Sequence, residues 1–160
     1  MGRALYFVAA AALVLASGAL LFHRLGAADV CTGDEAVEAV FLQQMVEHGE
    51  VLFPLENGQT PMYKPPLFHW TGLALDKLAG VRTVTAGNLR AISAVYALAG
   101  IVLVMALGYA LLGAEGSLLA GLTLAAAYQY ITLGRFGRVD MTLAFFETLA
   151  LALFVWWIPP

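Results

Sequence analysis

Residues 4–22 read ALYFVAAAALVLASGALLF, a run of 19 residues without a charge. About 20 apolar residues carry a helix across the hydrocarbon core of a bilayer, so the run reads as a membrane span. Arg3 precedes it and His23-Arg24 follow. A secretory signal peptide competes for a charged start followed by apolar residues. This run outlasts the usual apolar region of such a peptide, and Ser17-Gly18-Ala19 lies inside it rather than after it. A retained first span fits better. The whole composition agrees: the 160 residues are 61% hydrophobic and 12% charged, with a formal net charge of -3 and a mean hydropathy of +0.82. Soluble domains are about a quarter charged. No basic tract suggests nucleic acid, and Cys31, the only cysteine, can form no internal disulfide.

Three further apolar runs follow, Leu89–Leu112, Ser117–Leu133 and Met141–Ile158. Arg90 stands at the entry of the first. Trp156 and Trp157 sit near the end of the last, as in an aromatic belt at the membrane interface, and Pro159-Pro160 stop it. Gly113-Ala114-Glu115-Gly116 has room only for a tight turn, and Gly134 to Asp140 forms a short polar loop. The expected fold is all-α, a polytopic membrane protein with four spans at 4–22, 89–112, 117–133 and 141–158. Four spans put the 29–88 segment and the Arg135–Asp140 loop on one side of the membrane. The termini and the 113–116 turn fall on the other. Arg3 and the amino terminus favour a cytoplasmic start, which places the 29–88 segment outside the cytoplasm.

That segment holds most of the acids of the chain. Thr32 and Glu35 have capping-box spacing, and Val37, Val40, Phe41 and Met45 follow at helical intervals, with Gln43, Gln44, Glu47 and His48 on other faces. The pattern predicts an amphipathic helix at the membrane surface, ended by Gly49. Phe53 to Gly58 is turn-rich. Then comes Met62-Tyr63-Lys64-Pro65-Pro66-Leu67-Phe68-His69-Trp70. Pro65 biases Lys64 toward extended backbone, and Pro66 suits the first position of a helix that runs to about Ala79. Lys64 thus stands at a helix start, where unpaired N–H groups already favour an anion. It reads as a phosphate-binding element, or as a lysine that reaches lipid phosphates from an interfacial helix.

One face therefore offers carboxylates at a helix start (Asp34, Glu35), a cation at another (Lys64), and a mixed loop (Arg135, Arg138, Asp140). A carboxylate accepts a proton from an attacking hydroxyl, and cations stabilise a phosphate leaving group. Glycosyl transfer from a lipid phosphate needs both. Plainer roles exist for each residue: Asp34 and Asp140 suit helix caps, Arg135 and Arg138 suit anchors to headgroups, and His48 and His69 suit surface or packing positions.

Asp34-Glu35, Pro54 to Gly58, Lys64 to Trp70, Arg90 to Ser93 and Arg138-Val139-Asp140, in this order and spacing, resemble the amino-terminal part of a known family. These are the GT-C type polyprenyl-phosphate-dependent membrane glycosyltransferases, in the branch of protein O-mannosyltransferases and bacterial lipid A aminoarabinose transferases. The resemblance implies a transferase of the inner membrane with its active loop on the extracytoplasmic face. It implies a polyprenyl-phosphate-linked sugar as donor and lipid A, a protein or another envelope glycan as acceptor. Asp34 becomes the catalytic acid-base residue, Asp140 the second acid, Glu35 an accessory group, Lys64 the donor-phosphate ligand, and Arg138 and Arg135 its phosphate or structural partners. Tyr63 replaces the glutamate that related aminoarabinose transferases use in a metal site, so no metal ligand is assigned and a divalent metal stays open. His69 stands where an aromatic is commoner. The resemblance covers only the opening of a longer enzyme, which points to a fragment or truncated product. The reading from another class is a non-enzymatic membrane subunit that binds lipid-linked sugar or a partner membrane protein. A transporter fragment is disfavoured, because transporters place charges within their spans and here they collect at the loops.

Overall fold

The computed structural model describes residues 2–30, 32–49, 51–52, 55–56, 60–61 and 64–157. Expectations for Phe53, Pro54, Asn57, Gly58, Met62, Tyr63 and residues 158–160 lie outside them. The described residues are mainly helical, with a two-residue antiparallel pair in the first loop, β1 (Leu55–Glu56) with β2 (Thr60–Pro61).

The first apolar run forms α1 (Arg3–Phe22). Its large side chains are mostly exposed, Leu5, Phe7, Val8 and Leu15 among them. Such a surface is stable against lipid rather than water. In the polar segment, α2 (Gly33–His48) starts where the capping signal places it: the Glu35 N–H donates to Thr32 Oγ1 at 3.2 Å. Gly49 ends it in the left-handed conformation. The reciprocal half of the capping box does not form, because the Glu35 side chain is drawn into the protein instead. The inward face of α2 is mixed, with Glu35 and Glu38 buried beside Phe41, Leu42 and Met45. The next helix, α3 (Leu67–Ala79), begins one residue later than expected. Pro66 is its cap, accepting from the Trp70 N–H at 2.9 Å.

The second and third apolar runs form two helical arms, together α4 (Ala86–Ala126), that meet in a reversal at Gly113. Gly113 has φ 74° and ψ -165°, a region essentially closed to residues with a Cβ. The reversal needs only this residue, and Ala114 to Gly116 are already helical again. Past it the two arms run antiparallel in close contact. A Cβ on Gly108 would lie 3.0 Å from the Gly116 carbonyl oxygen, and one on Gly121 would lie 2.4 Å from Met105 Cγ. The second arm breaks at Ala127 and continues as α5 (Tyr128–Gly134), whose Tyr130 hydroxyl donates to the Ala97 carbonyl at 2.8 Å. The last helix is α6 (Asp140–Trp157). Three described helices are long and apolar enough to cross a membrane: α1, the doubled α4 and α6.

The core runs along α4 from Leu89 to Met105 and gathers every long helix at one end of the bundle. Leu21 of α1, Leu42 of α2, Phe68 of α3, Leu89 and Ile92 of α4, and Met141 of α6 are all buried in one cluster. The end of α1, the starts of α4 and α6 and the end of α5 thus lie together, beneath the first loop. Gly134 touches both Ala97 and Leu21 there, and a Cβ on Gly137 would fall 2.5 Å from Leu89 Cγ. Described residues of the 29–88 segment and the 135–140 loop therefore meet at one end of the bundle.

Candidate functional site

A buried ion pair frames this face. Glu35 is fully buried and Arg90 is 6% exposed. Arg90 Nε and Nη2 donate to the two carboxylate oxygens of Glu35 at 2.7 and 3.0 Å. Its remaining N–H groups donate to the carbonyls of Leu25 (2.9 Å), Ala28 (2.7 Å) and Asp29 (2.9 Å). The Gly137 N–H donates to Glu35 at 2.9 Å. Buried charges persist only with such complete pairing. One guanidinium and one carboxylate thereby join the α1–α2 connection, α2, α4 and the α5–α6 loop. Glu35 is part of this frame and lies beneath the surface on which Asp34 opens.

On that surface Arg138 lies between two carboxylates. Its Nη2 is 3.0 Å from Asp34 Oδ2, and its Nε is 3.0 Å from Asp140 Oδ2. All three side chains are partly open to solvent. The Arg138 backbone is held by Ser93, whose Oγ donates to the Arg138 carbonyl at 3.0 Å. Asp34 lies in the first turn of α2 and Asp140 in the first turn of α6, where helix dipoles favour negative charge. Residues more than a hundred positions apart are thus assembled into one group.

Lys64 pairs with Glu38, the residue one turn beyond Asp34 on α2, so it is a neighbour of this group on the same helix face. Glu38 is fully buried, as is His69, whose Nε2 is 2.9 Å from Glu38 Oε2. Burial alone would push the Glu38 carboxyl up. Hydrogen bonds from His69 and Lys64, with their charges, outweigh it and hold the group below the usual glutamate value. Phe41 and Phe68 pack edge-on against His69, with ring centroids 5.9 and 5.3 Å away. Between the starts of α3 and α6 lies an apolar slot of about 210 Å³, lined by Pro65, Leu67, Phe68, Val139, Leu143 and Phe146 with Thr142.

Arg135 takes no part in this group. Its guanidinium donates to the carbonyls of Leu20, Leu21 (3.1 Å) and His23 (2.8 Å), the orphan acceptors at the end of α1. Of the residues singled out from the sequence, the structure gathers Asp34, Arg138, Asp140 and Lys64, and sets Glu35 and Arg135 in supporting positions. Glu38 and the partnership of His69 were not singled out, and Ser93 was noted only within the Arg90–Ser93 stretch, without a role. Only their helical offsets, Glu38 four residues after Asp34 above all, offered a signal. Among the described residues no three His, Cys, Asp or Glu side chains are grouped to hold a metal ion.

No protein-family model matches the sequence. Over 135 residues the chain is 30% identical to an uncharacterized protein of Aquifex aeolicus, a stretch covering 84% of this chain and 26% of that protein. The crystal structure of ArnT from Cupriavidus metallidurans in the apo state matches with a TM-score of 0.82 and 25% identity. That match covers 94% of this chain and 27% of ArnT. The chain thus spans about a quarter of the length of either protein. It is a multi-pass membrane protein with a GT-C-like fold.

Proposed function

We propose that the chain carries the acid-base and donor-phosphate residues of a polyprenyl-phosphate-dependent glycosyltransferase. It would form the amino-terminal portion of such an enzyme, with the two arms of α4 as separate crossings and the Asp34 face outside the cytoplasm of an inner membrane. The carrying observation is the pairing of Asp34 and Asp140 with Arg138, with Glu38, one helical turn beyond Asp34, holding Lys64. In this reading the donor phosphate docks on Lys64 and Arg138, and the first part of its prenyl tail enters the apolar slot below. An acceptor hydroxyl gives its proton to Asp34 while its oxygen bonds to the anomeric carbon. The bond from that carbon to the phosphate oxygen breaks, and its electron pair leaves with the polyprenyl phosphate, whose charge Lys64 stabilises. Asp140 keeps Arg138 oriented and supplies the second acid. ArnT, an aminoarabinose transferase of the GT-C type, makes lipid A one candidate acceptor beside a protein hydroxyl and other envelope glycans.

The test is sugar transfer from a purified polyprenyl-phosphate donor with Asp34→Asn. The isosteric change keeps a hydrogen-bond acceptor for Arg138 and removes the base. Transfer should vanish while expression and thermal stability hold. Undiminished transfer would take Asp34 out of the mechanism.

A further inference from the structure

The apolar slot contains one polar atom that the transfer chemistry does not use. Val139 and, on α6, Thr142, Leu143 and Phe146 follow one another at helical spacing and line one wall of it. Three of the four are apolar. Thr142 is only 6% exposed, and its Oγ1 is buried without a hydrogen-bond partner among the described residues.

The reason lies in the neighbouring backbone. Thr71, Thr123 and Thr148 each donate to the carbonyl four residues before them, at 2.9, 2.8 and 2.7 Å, the usual outlet for a hydroxyl inside a helix. The carbonyl four residues before Thr142 belongs to Arg138, and it accepts from Ser93 Oγ at 3.0 Å instead. The bond that orders the Arg138 backbone thus takes the acceptor that Thr142 would use. A buried hydroxyl without a partner costs free energy. A hydrocarbon chain lying against it would leave that cost in place, whereas a ligand with an oxygen at that depth removes it.

The slot begins where such an oxygen would stand. Pro65 follows Lys64 and Val139 follows Arg138, so the two segments that carry the cations also border the slot. Thr142 lies in the first turn of α6, where backbone N–H groups favour an anion.

We propose that Thr142 is a donor-binding residue. Its hydroxyl donates to a phosphate oxygen of the polyprenyl phosphate and fixes the depth at which the prenyl chain begins. The inference rests on the donor site proposed above. It adds an uncharged contact that tells a phosphate ester from plain hydrocarbon.

The experiment uses the full chain in phosphatidylcholine nanodiscs. A polyprenyl monophosphate is the probe, and a linear isoprenoid hydrocarbon of the same length is the control without oxygen. Thr142→Val keeps the shape and removes the hydroxyl, while Thr142→Ser keeps the hydroxyl. A hydrogen bond to a charged oxygen is worth about tenfold in affinity. Thr142→Val should therefore bind the phosphate about tenfold more weakly than wild type and the hydrocarbon no more weakly. Without ligand it should unfold at a higher temperature, because the unpaired hydroxyl is gone. Thr142→Ser should bind the phosphate as wild type does. A packing role does not join a gain in stability to a loss of phosphate affinity. If Thr142→Val does not fold, Thr142→Ala carries the same comparison of phosphate with hydrocarbon. Wild-type affinity for the phosphate in the variant lacking the hydroxyl would overturn the Thr142 contact and leave the donor site standing. Equal changes for phosphate and hydrocarbon would also overturn the contact, by setting the tail alone against Thr142. Wild-type protein that binds the phosphate no better than the hydrocarbon would overturn the donor site and this inference together.

Discussion

Replacing Arg90 by Met should remove a large share of the stability of the face that carries the site. The side chain stays flexible and apolar along its stem but is shorter and loses five N–H donors, two on Glu35 and three on backbone carbonyls. Glu35 would stay fully buried with the Gly137 N–H still on it. Breaking one partner out of a buried ion pair costs about 3–5 kcal/mol. Each stranded buried carbonyl adds about 1–3 kcal/mol in isolation, although neighbours that relax together do not sum. About 4 kcal/mol is therefore a conservative expectation, against a total of about 5–15 kcal/mol for an ordinary domain. Unfolding in mixed micelles titrated with a denaturing detergent, followed by tryptophan fluorescence, measures it. The partner experiment is the double change Arg90→Met with Glu35→Met, in which both charges disappear together. It should be more stable than Arg90→Met alone by about 2 kcal/mol. An Arg90→Met protein within about 1 kcal/mol of wild type would refute the reasoning. So would a double variant whose loss equals the sum of the two single losses.

Four further outcomes follow from the geometry. Lys64→Ala should weaken binding of a lipid-phosphate donor far more than binding of the acceptor, and equal losses in a two-substrate binding assay would remove its phosphate role. Gly113→Ala must place a Cβ at φ 74° and should cost about 1–3 kcal/mol, read in the same unfolding titration, where Gly2→Ala serves as a neutral control. Burial raises the Asp76 carboxyl above its usual range, opposed by the Asn88 hydrogen bond. A raised acid stabilises the fold below its unfolded pKa and loses that contribution as pH rises through the folded value. Asp76→Asn should therefore flatten stability against pH on the alkaline side of the usual aspartate range, and an unchanged profile would count against it. Glu38 is the reverse case, lowered in the fold. Its contribution is present above the unfolded pKa and fades as pH falls through the folded one, so acid unfolding should be less steep in Glu38→Gln than in wild type.

The membrane-spanning frame was legible in the sequence because apolar length alone marks a span, and α1 and α6 lie within a residue or two of their expected bounds. Thr32 and Gly49 were legible for another reason: a cap is a local hydrogen-bond requirement, met within a few residues. The turn between the arms of α4 was expected over four residues and needs one, since Gly113 alone reaches the backbone angles required. The site was legible only as a set of residues on one face. Which acid would open to solvent and which would be buried could not be read. Asp34 and Glu35 are adjacent and chemically alike, and only the distant Arg90 and Gly137 draw the second inward. Arg135 and Arg138 were alike in the same way, until α1 presented its last carbonyls to one and Asp34 its carboxylate to the other.

The arginine that closes α1 has a consequence for biogenesis. Leu21 and His23 offer their carbonyls to Arg135, which is encoded 114 and 112 residues later. At about 5–20 residues per second, translation reaches that codon on the order of ten seconds after the helix has left the ribosome. During that interval the end of α1 must be satisfied by water, by lipid headgroups or by an insertion factor. The end of α1 is thus sealed only when the 135–140 loop arrives, with the guanidinium that caps it and the carboxylate that faces Asp34 across Arg138.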